Sequence, residues 1–434
     1  MPDERALRTG SWTDFHPLTL LLQSLRLAVN FRALLLAALA IAATSAGWRL
    51  ITAMYDREND AVGRYYYTWP WEPAKSLLPR DDALTGAKLP TSDLPDRPPV
   101  VTPTHLPADL QLSDWTLSSP LLHAWKYITD PFSRIFDSRN SLADLGYYLL
   151  CALWALVVWA FFGGAISRLA ALALARDEQL PLGGSITYAR RKWLSYFAAP
   201  LFPLLGLLLL ALPLALFGLL LRADVGVLIA GLLWFLVVIA GFVMAILALG
   251  LFFGWPLMWA TISAEGTDSF DALSRTYSYV FQKPIVYLFY VVIAAFLGTV
   301  GWLLVYLFAT TLLALSHWAV SWGAGPDNLR AVLANSRPGG VGEAGSMLVR
   351  FWVSCVMMLA LAYWCSYFWT ASQAIYFLLR RHVDATELDE VYVPEEEEPY
   401  GLPPLRHDEA GVTTVADVPG TPGVEPGSRD VTGL

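Results

Sequence analysis

Three carboxylates spaced three residues apart, Glu265, Asp268 and Asp271, are the groups in this 434-residue chain whose type and spacing come nearest to chemistry. On a helix Asp268 and Asp271 would share a face, and clustered oxygens of this kind serve hard divalent cations or general acid and base work. A simpler role competes. Asp268 or Ser269 can cap the N-terminus of the following helix, where the dipole favours negative charge. Capping is the stronger reading because no His or second carboxylate cluster lies close in sequence, so no catalytic residue, metal or cofactor is expected. The second concentrated group is Arg190-Arg191-Lys192-Trp193. Its composition suits an interfacial anchor and topology signal that also attracts anionic headgroups, with specific lipid recognition as the sharper alternative.

The motifs that would place such groups in a known enzyme class are missing from the sequence. It has no GxxxxGK[ST] phosphate loop, no GxSxG elbow and no CxxC metal spacing. Cys151, Cys355 and Cys365 all fall in apolar stretches and read as small packing residues.

The elements that must position these groups follow from composition. The chain is 56% hydrophobic and 15% charged, against about 25% charged in soluble domains. Lipid is therefore its main solvent. Six stretches are long and apolar enough to cross a membrane: Ala33–Ala53, Ala143–Ile166, Phe197–Leu221, Val227–Phe253, Ile285–Leu313 and Phe351–Leu379. They lack the alternation of barrel strands, so the expected fold is all-α, a polytopic transmembrane helical bundle of about six spans. No ionisable residue sits at mid-depth in the third, fourth or sixth span, which argues against an ion-coupled pump. Pro200, Pro203 and Pro213 mark the third span for kinking. Basic residues gather around the loop holding Arg168, Arg176, Arg190, Arg191 and Lys192, which predicts both termini on the cytoplasmic side of a bacterial-type inner membrane. Thr44-Ser45-Ala46 also resembles a signal-peptidase site, and cleavage there would leave five spans.

Charge divides the rest. The net charge is −8, yet residues 380–434 hold 4 basic and 13 acidic residues, a net of −9, so everything before them sums to +1. Residues 380–434 are expected to be a disordered acidic cytoplasmic tail, either a solvated extension or a docking segment for a basic protein partner. Such a charge balance argues against a nucleic-acid partner. Residues 54–142 form a long Pro- and aromatic-rich extracytoplasmic loop. Its run Tyr65-Tyr66-Tyr67-Thr68-Trp69-Pro70-Trp71 reads as an interfacial belt or as a stacking surface for a glycan or peptide. Within it Leu121, Leu122, Trp125 and Ile128 fall on one helical face, so Ser119–Thr129 should lie on the membrane or cap the bundle. Residues 1–32 form a cytoplasmic segment in which Pro17–Phe31 is an interfacial helix or an extension of the first span. Residues 143–379 carry five spans and two amphipathic cytoplasmic loops.

Those two loops look alike in kind. Ser185–Tyr196 and Ser269–Phe281 each follow a turn and lead into a span, which suggests a degenerate duplication. The string Glu265-Gly266-Thr267-Asp268-Ser269-Phe270-Asp271-Ala272-Leu273-Ser274-Arg275-Thr276-Tyr277, with the earlier stretch 165–192, resembles the inner loops of bacterial polytopic proteins akin to the glycerophosphodiester phosphodiesterase membrane domain. That resemblance implies a membrane module and transfers no catalytic residue, because the family's activity resides in a separate soluble barrel. The expected function is a non-enzymatic scaffold or accessory module in contact with membrane lipids. The alternatives are a permease-like protein for a neutral or lipid-like solute and, last, a lipid-modifying enzyme using the Glu265 loop.

Overall fold

The computed structural model of the chain describes residues 17–58, 61–67, 69, 119–137, 140–333, 339–393, 405–407 and 413–415. Eleven helices occur among them: α1 (Pro17–Ala28), α2 (Phe31–Met54), α3 (Ala61–Tyr67), α4 (Pro120–Ile135), α5 (Leu142–Arg176), α6 (Leu182–Gly218), α7 (Asp224–Glu265), α8 (Ser269–Gln282), α9 (Pro284–Ala324), α10 (Pro326–Leu333) and α11 (Gly340–Asp384). Six of these, α2, α5, α6 with the 3-10 turn that extends it to Arg222, α7, α9 and α11, are long and apolar enough to cross a membrane, and each contains one expected span. The protein is a multi-pass membrane protein.

Small residues and polar tips, rather than bulk, bring these helices together, as expected where lipid removes the hydrophobic drive for association. The indoles of Trp48 and Trp154 donate to the carbonyls of Cys151 and Ala43, each at 3.0 Å, tying α2 antiparallel to α5. Gly47 permits the approach, since a Cβ there would fall 1.9 Å from the Trp154 nitrogen. Between α9 and α11, Tyr367 donates to the Ala294 carbonyl at 2.7 Å, over a Gly298 whose Cβ would fall 2.3 Å from the tyrosine ring. In α6, Pro200 removes the N–H that would bond the Tyr196 carbonyl. Trp259 of α7 supplies that bond at 2.8 Å, so the helix runs on without interruption from Leu182 to Gly218.

Two short helices occupy places the sequence left open. α1 is not an extension of α2: Asn30 caps α2 through the Arg32 N–H, and α1 turns back to lay one face on α9 and α11 while Leu22 and Arg26 stay exposed. Its Ser24 and Ala28 carbonyls accept from Thr370 and Ser366 of α11. α4 enters the bundle between α5, α9 and α11, burying Leu121, Ala124, Ile128 and Pro131, whereas Leu122 stays exposed. Its first turn reaches mid-length of its neighbours, with His123 stacked 4.6 Å from Trp364 and Ser119 bonded to the Ala295 carbonyl.

The two inner loops differ from one another. Ser185–Tyr196 is the first part of the continuous α6, whereas α8 is separate because the chain breaks at Lys283 and restarts at Pro284. Proline at a first helical position starts a helix and cannot continue the one before it. The likeness of the loops is thus one of composition and not of path.

The expected start of the tail at Arg380 falls inside α11, which continues to Asp384. The chain then folds back to bury Val391, whose carbonyl accepts from Arg176 at 3.1 Å. Residues Tyr392–Leu434 form a second unit, in which β1 (Leu405–His407) pairs antiparallel with β2 (Thr413–Val415). The remaining tail, with its glutamate run, lies outside the described residues, as does most of the Pro-rich loop including Trp71.

Candidate functional site

The carboxylates singled out by spacing occupy three different positions. Asp268 caps α8, its side chain accepting from the Asp271 N–H at 2.9 Å, as the capping reading predicts. Asp271 pairs with Arg275 one turn on, at 3.1 Å. Glu265 is the last residue of α7 and is nearly buried. One carboxylate oxygen meets Arg275 at 2.6 Å, while the other accepts from the Tyr376 hydroxyl and lies 3.8 Å from Arg380. Burial works against the charge of Arg275, yet Glu265 and Asp271 together hold its pKa above the ordinary arginine value. Beside it, burial and then the Asp384 carboxylate that it hydrogen-bonds push the Tyr279 phenol upward.

Basic residues of the first loop serve the same helix end. The last carbonyls of α7 carry the negative end of its dipole, and Ile262 O also accepts the Gly266 N–H that closes the helix. Tyr188 donates to Ile262 O at 2.7 Å, Arg168 to Ser263 O at 2.7 Å, and Lys192 to Gly266 O at 2.5 Å. Gly266 takes the left-handed conformation, φ 66°, that closes the helix. Lys192 is therefore a helix cap. Trp193 donates to Val157 O at 3.2 Å and stacks on Phe197, so it is a packing residue. Arg190 and Arg191 remain exposed.

Glu265 is thus a tie between α7, α8 and α11, with its oxygens already engaged. Sequence reasoning missed Arg380, Tyr376 and Gln373. Their signal was present: these three polar residues recur at i, i+3 and i+7 on one face of an apolar helix. Gln373 is fully buried, and neither of its amide atoms has a partner among the described residues.

On the flank of the bundle a half-open cavity of about 380 Å³ lies between α4, α5, α6 and α7, with the exposed Phe136, Ala248 and Phe252 at its rim. Its walls are Trp125, Ile128 and Phe132 of α4, Leu156 and Trp159 of α5, Leu204 and Leu207 of α6, and Ala248, Leu251, Trp255 and Trp259 of α7. Gly163 lets two indoles meet beneath it. Trp259 stacks on Trp369 with centroids 4.5 Å apart, and a Cβ on Gly163 would fall 2.7 Å from the first ring and 2.8 Å from the second. The few polar side chains on its walls are turned to local tasks. Thr129 and Ser133 donate to backbone carbonyls of their own helix, and Trp259 donates to Tyr196. The cavity was legible in part. Interfacial tryptophans belong at the ends of spans, whereas Trp159 lies at the centre of α5 and Trp255 ten residues inside the end of α7.

At the opposite end the aromatic run packs inward. Tyr66 is buried edge-on against Trp48 and Tyr147, and its hydroxyl donates to Asp130, which Arg134 also holds at 2.8 Å. Arg49 covers the faces of Tyr67 and Trp69 at 4.3 and 4.6 Å. Tyr66, Tyr67 and Trp69 thus each have a partner within the protein, whereas Trp71 lies outside the described residues. No family model, no curated protein and no solved structure matches this chain.

Proposed function

We propose that the protein is a non-enzymatic membrane module that takes the apolar chain of a lipid-like molecule into the cavity between α4, α5, α6 and α7. The single observation that carries this reading is the cavity itself. Its walls are almost wholly hydrocarbon and indole, and its volume of about 380 Å³ suits one chain rather than a whole two-chain lipid, since ligand sites run to about 300–1,000 Å³. Charge-poor spans and the occupied carboxylate of Glu265 favour binding over ion-coupled transport or lipid chemistry. The module sits in a bacterial-type inner membrane with both termini cytoplasmic. Arg26, Arg176, Arg190, Arg191, Lys283 and Arg381 near the Glu265 end support that orientation. Burial of Thr44 and Ser45 within the bundle supports a retained α2.

Filling the cavity tests the reading. Ala248→Trp should lower co-purified lipid, measured by native mass spectrometry, about tenfold with little change in melting temperature. A pure scaffold predicts unchanged lipid content, and that outcome would overturn the proposal.

A further inference from the structure

Beyond Asp384 the chain does not leave the bundle at once. It reverses at Ala385, a non-glycine residue in the left-handed conformation at φ 53°, and residues 385–391 fold back over the Glu265 end as a strap. Two arginines hold it, and both do so through its backbone carbonyls. Arg176 at the end of α5 donates to Asp389 O at 3.2 Å and to Val391 O at 3.1 Å, while Arg380 of α11 donates to Glu387 O at 2.8 Å. Val391 is buried in the core and Leu388 packs against it. The three acidic side chains of the strap, Glu387, Asp389 and Glu390, stay exposed. The bundle thus reads alternate carbonyls and an aliphatic side chain, a pattern that many peptide segments could present.

We propose that the ends of α5 and α11 form a docking seat for an acidic peptide segment, and that residues 385–391 fill this seat in cis and give way to a partner protein's segment of the same character. Arg176, Arg380 and the adjacent Arg381 make the neighbourhood cationic, which favours an acidic occupant. The slot now filled by Val391 demands an aliphatic residue. The cis hold is weak by construction. Three hydrogen bonds and one buried valine stand against the ordering of seven residues, and the left-handed turn at Ala385 adds strain that a glycine would not. Segments with so little buried apolar contact open locally long before a bundle unfolds. Vacancy is nonetheless disfavoured. Arg380 is 3% exposed and its carboxylate partner, Glu265, lies 3.8 Å away, so losing the Glu387 carbonyl leaves a buried guanidinium short of an acceptor. The seat therefore exchanges occupants rather than standing empty. None of its residues lines the cavity, so it stands or falls apart from the lipid-chain reading.

The experiment uses the full chain in detergent, with Val391→Cys as the reporter. Cys355, the native thiol that is only half-buried, is replaced by alanine, which leaves Cys151 and Cys365 buried. Reaction of the Val391→Cys thiol with a water-soluble maleimide then reads how often the strap lifts. Arg176→Gln, at an exposed position, removes two of the three hydrogen bonds and should speed labelling about tenfold, equal to about 1.4 kcal/mol, with the melting temperature unchanged. A synthetic peptide of residues 385–391, added at millimolar concentration to match a tethered segment, should also speed labelling about tenfold. The same peptide carrying Val391→Asp should have no effect. Labelling that neither Arg176→Gln nor the peptide changes would mark the strap as a fixed part of the fold and overturn the proposal. Labelling raised by Arg176→Gln but not by the peptide would show a loose end without a docking seat, and equal effects of the two peptides would remove the demand for an aliphatic anchor; either result overturns it. Phosphatidylglycerol vesicles that speed labelling where the peptide does not would identify a phosphate site and overturn the peptide reading in favour of lipid.

Discussion

The bundle interior and the two helical hairpins that extend from it, α6 with α7 and α9 with α11, are both built from apolar sequence and pack in opposite ways. In α2 and α5, 56% and 61% of the most apolar window is buried, at hydropathies of 1.8 and 2.3. In α6 with its 3-10 extension and in α7 the hydropathies rise to 2.8 and 2.9, and the buried share falls to 6% and zero. Between Gly231 and Leu249 no residue of α7 is buried, and between Thr299 and Ala324 of α9 only Ala309 is. The most hydrophobic helices are thus the least packed. In lipid a leucine gains nothing by leaving hydrocarbon for protein, so association depends on small residues and on hydrogen bonds. α2 and α5 carry both, in Ala37, Ala40, Gly47 and Trp48 and in Ala152, Ala155, Gly163 and Gly164. The outer half of α7 carries Leu, Val, Ile and Phe, and a Cβ added at Gly231 or Gly241 would meet nothing within 4 Å. At 42 residues α7 is about 60 Å long, twice the hydrocarbon thickness, which leaves room for pronounced tilt.

The largest test of this contrast lies at the packed end. Glu265→Ala leaves the guanidinium of Arg380, which is only 3% exposed, without its carboxylate. It should cost about 3 kcal/mol, read from thermal unfolding in detergent. A melting temperature equal to wild type would show that the tie between α7, α8 and α11 is ornamental. Next come paired glycine substitutions that set interior against hairpin. Gly163→Leu drives a side chain into the Trp259/Trp369 stack and should destabilise by about 1–3 kcal/mol. Gly241→Leu meets open space and should change stability by no more than about 0.5 kcal/mol. Equal losses would mean that the hairpin is covered by protein and not lipid.

The smallest effect concerns α4. Burial, and then Lys126, lowers the pKa of His123 below its ordinary 6.5. The unfolded chain therefore binds the proton more readily than the folded one, and stability rises with pH across the interval between the two values. The contribution of His123 should be complete above pH 6.5 and be lost as pH falls through the folded value. His123→Phe keeps a ring against Trp364 and should flatten that acid limb in melting curves from pH 5 to 8. An unchanged limb would place the pH sensitivity elsewhere.

Much of this was readable from residues alone, and the reasons divide cleanly. The six apolar runs required six long helices, because a backbone in hydrocarbon must satisfy its own hydrogen bonds. The cap at Asp268 followed from its position before an amphipathic segment. The inner loops misled, because composition made them twins while one proline, Pro284, separated α8 from α9 and nothing separated Ser185–Tyr196 from the rest of α6. The basic cluster misled in part: Lys192 and Trp193 had the residue types of a headgroup anchor and were recruited by the carbonyls of Gly266 and Val157.

Sequence by itself determined the solvent of each segment, since transfer from water to lipid depends on side-chain composition over a window and needs no partner. Tertiary structure alone decided which apolar face meets protein, which donors lose their acceptors and where Glu265 finds Arg275, Tyr376 and Arg380. Those outcomes depend on pairings between residues far apart in the chain, Glu265 with Arg380 and Ser24 with Thr370 among them, and such pairings are set by close packing of small residues that hydropathy does not register.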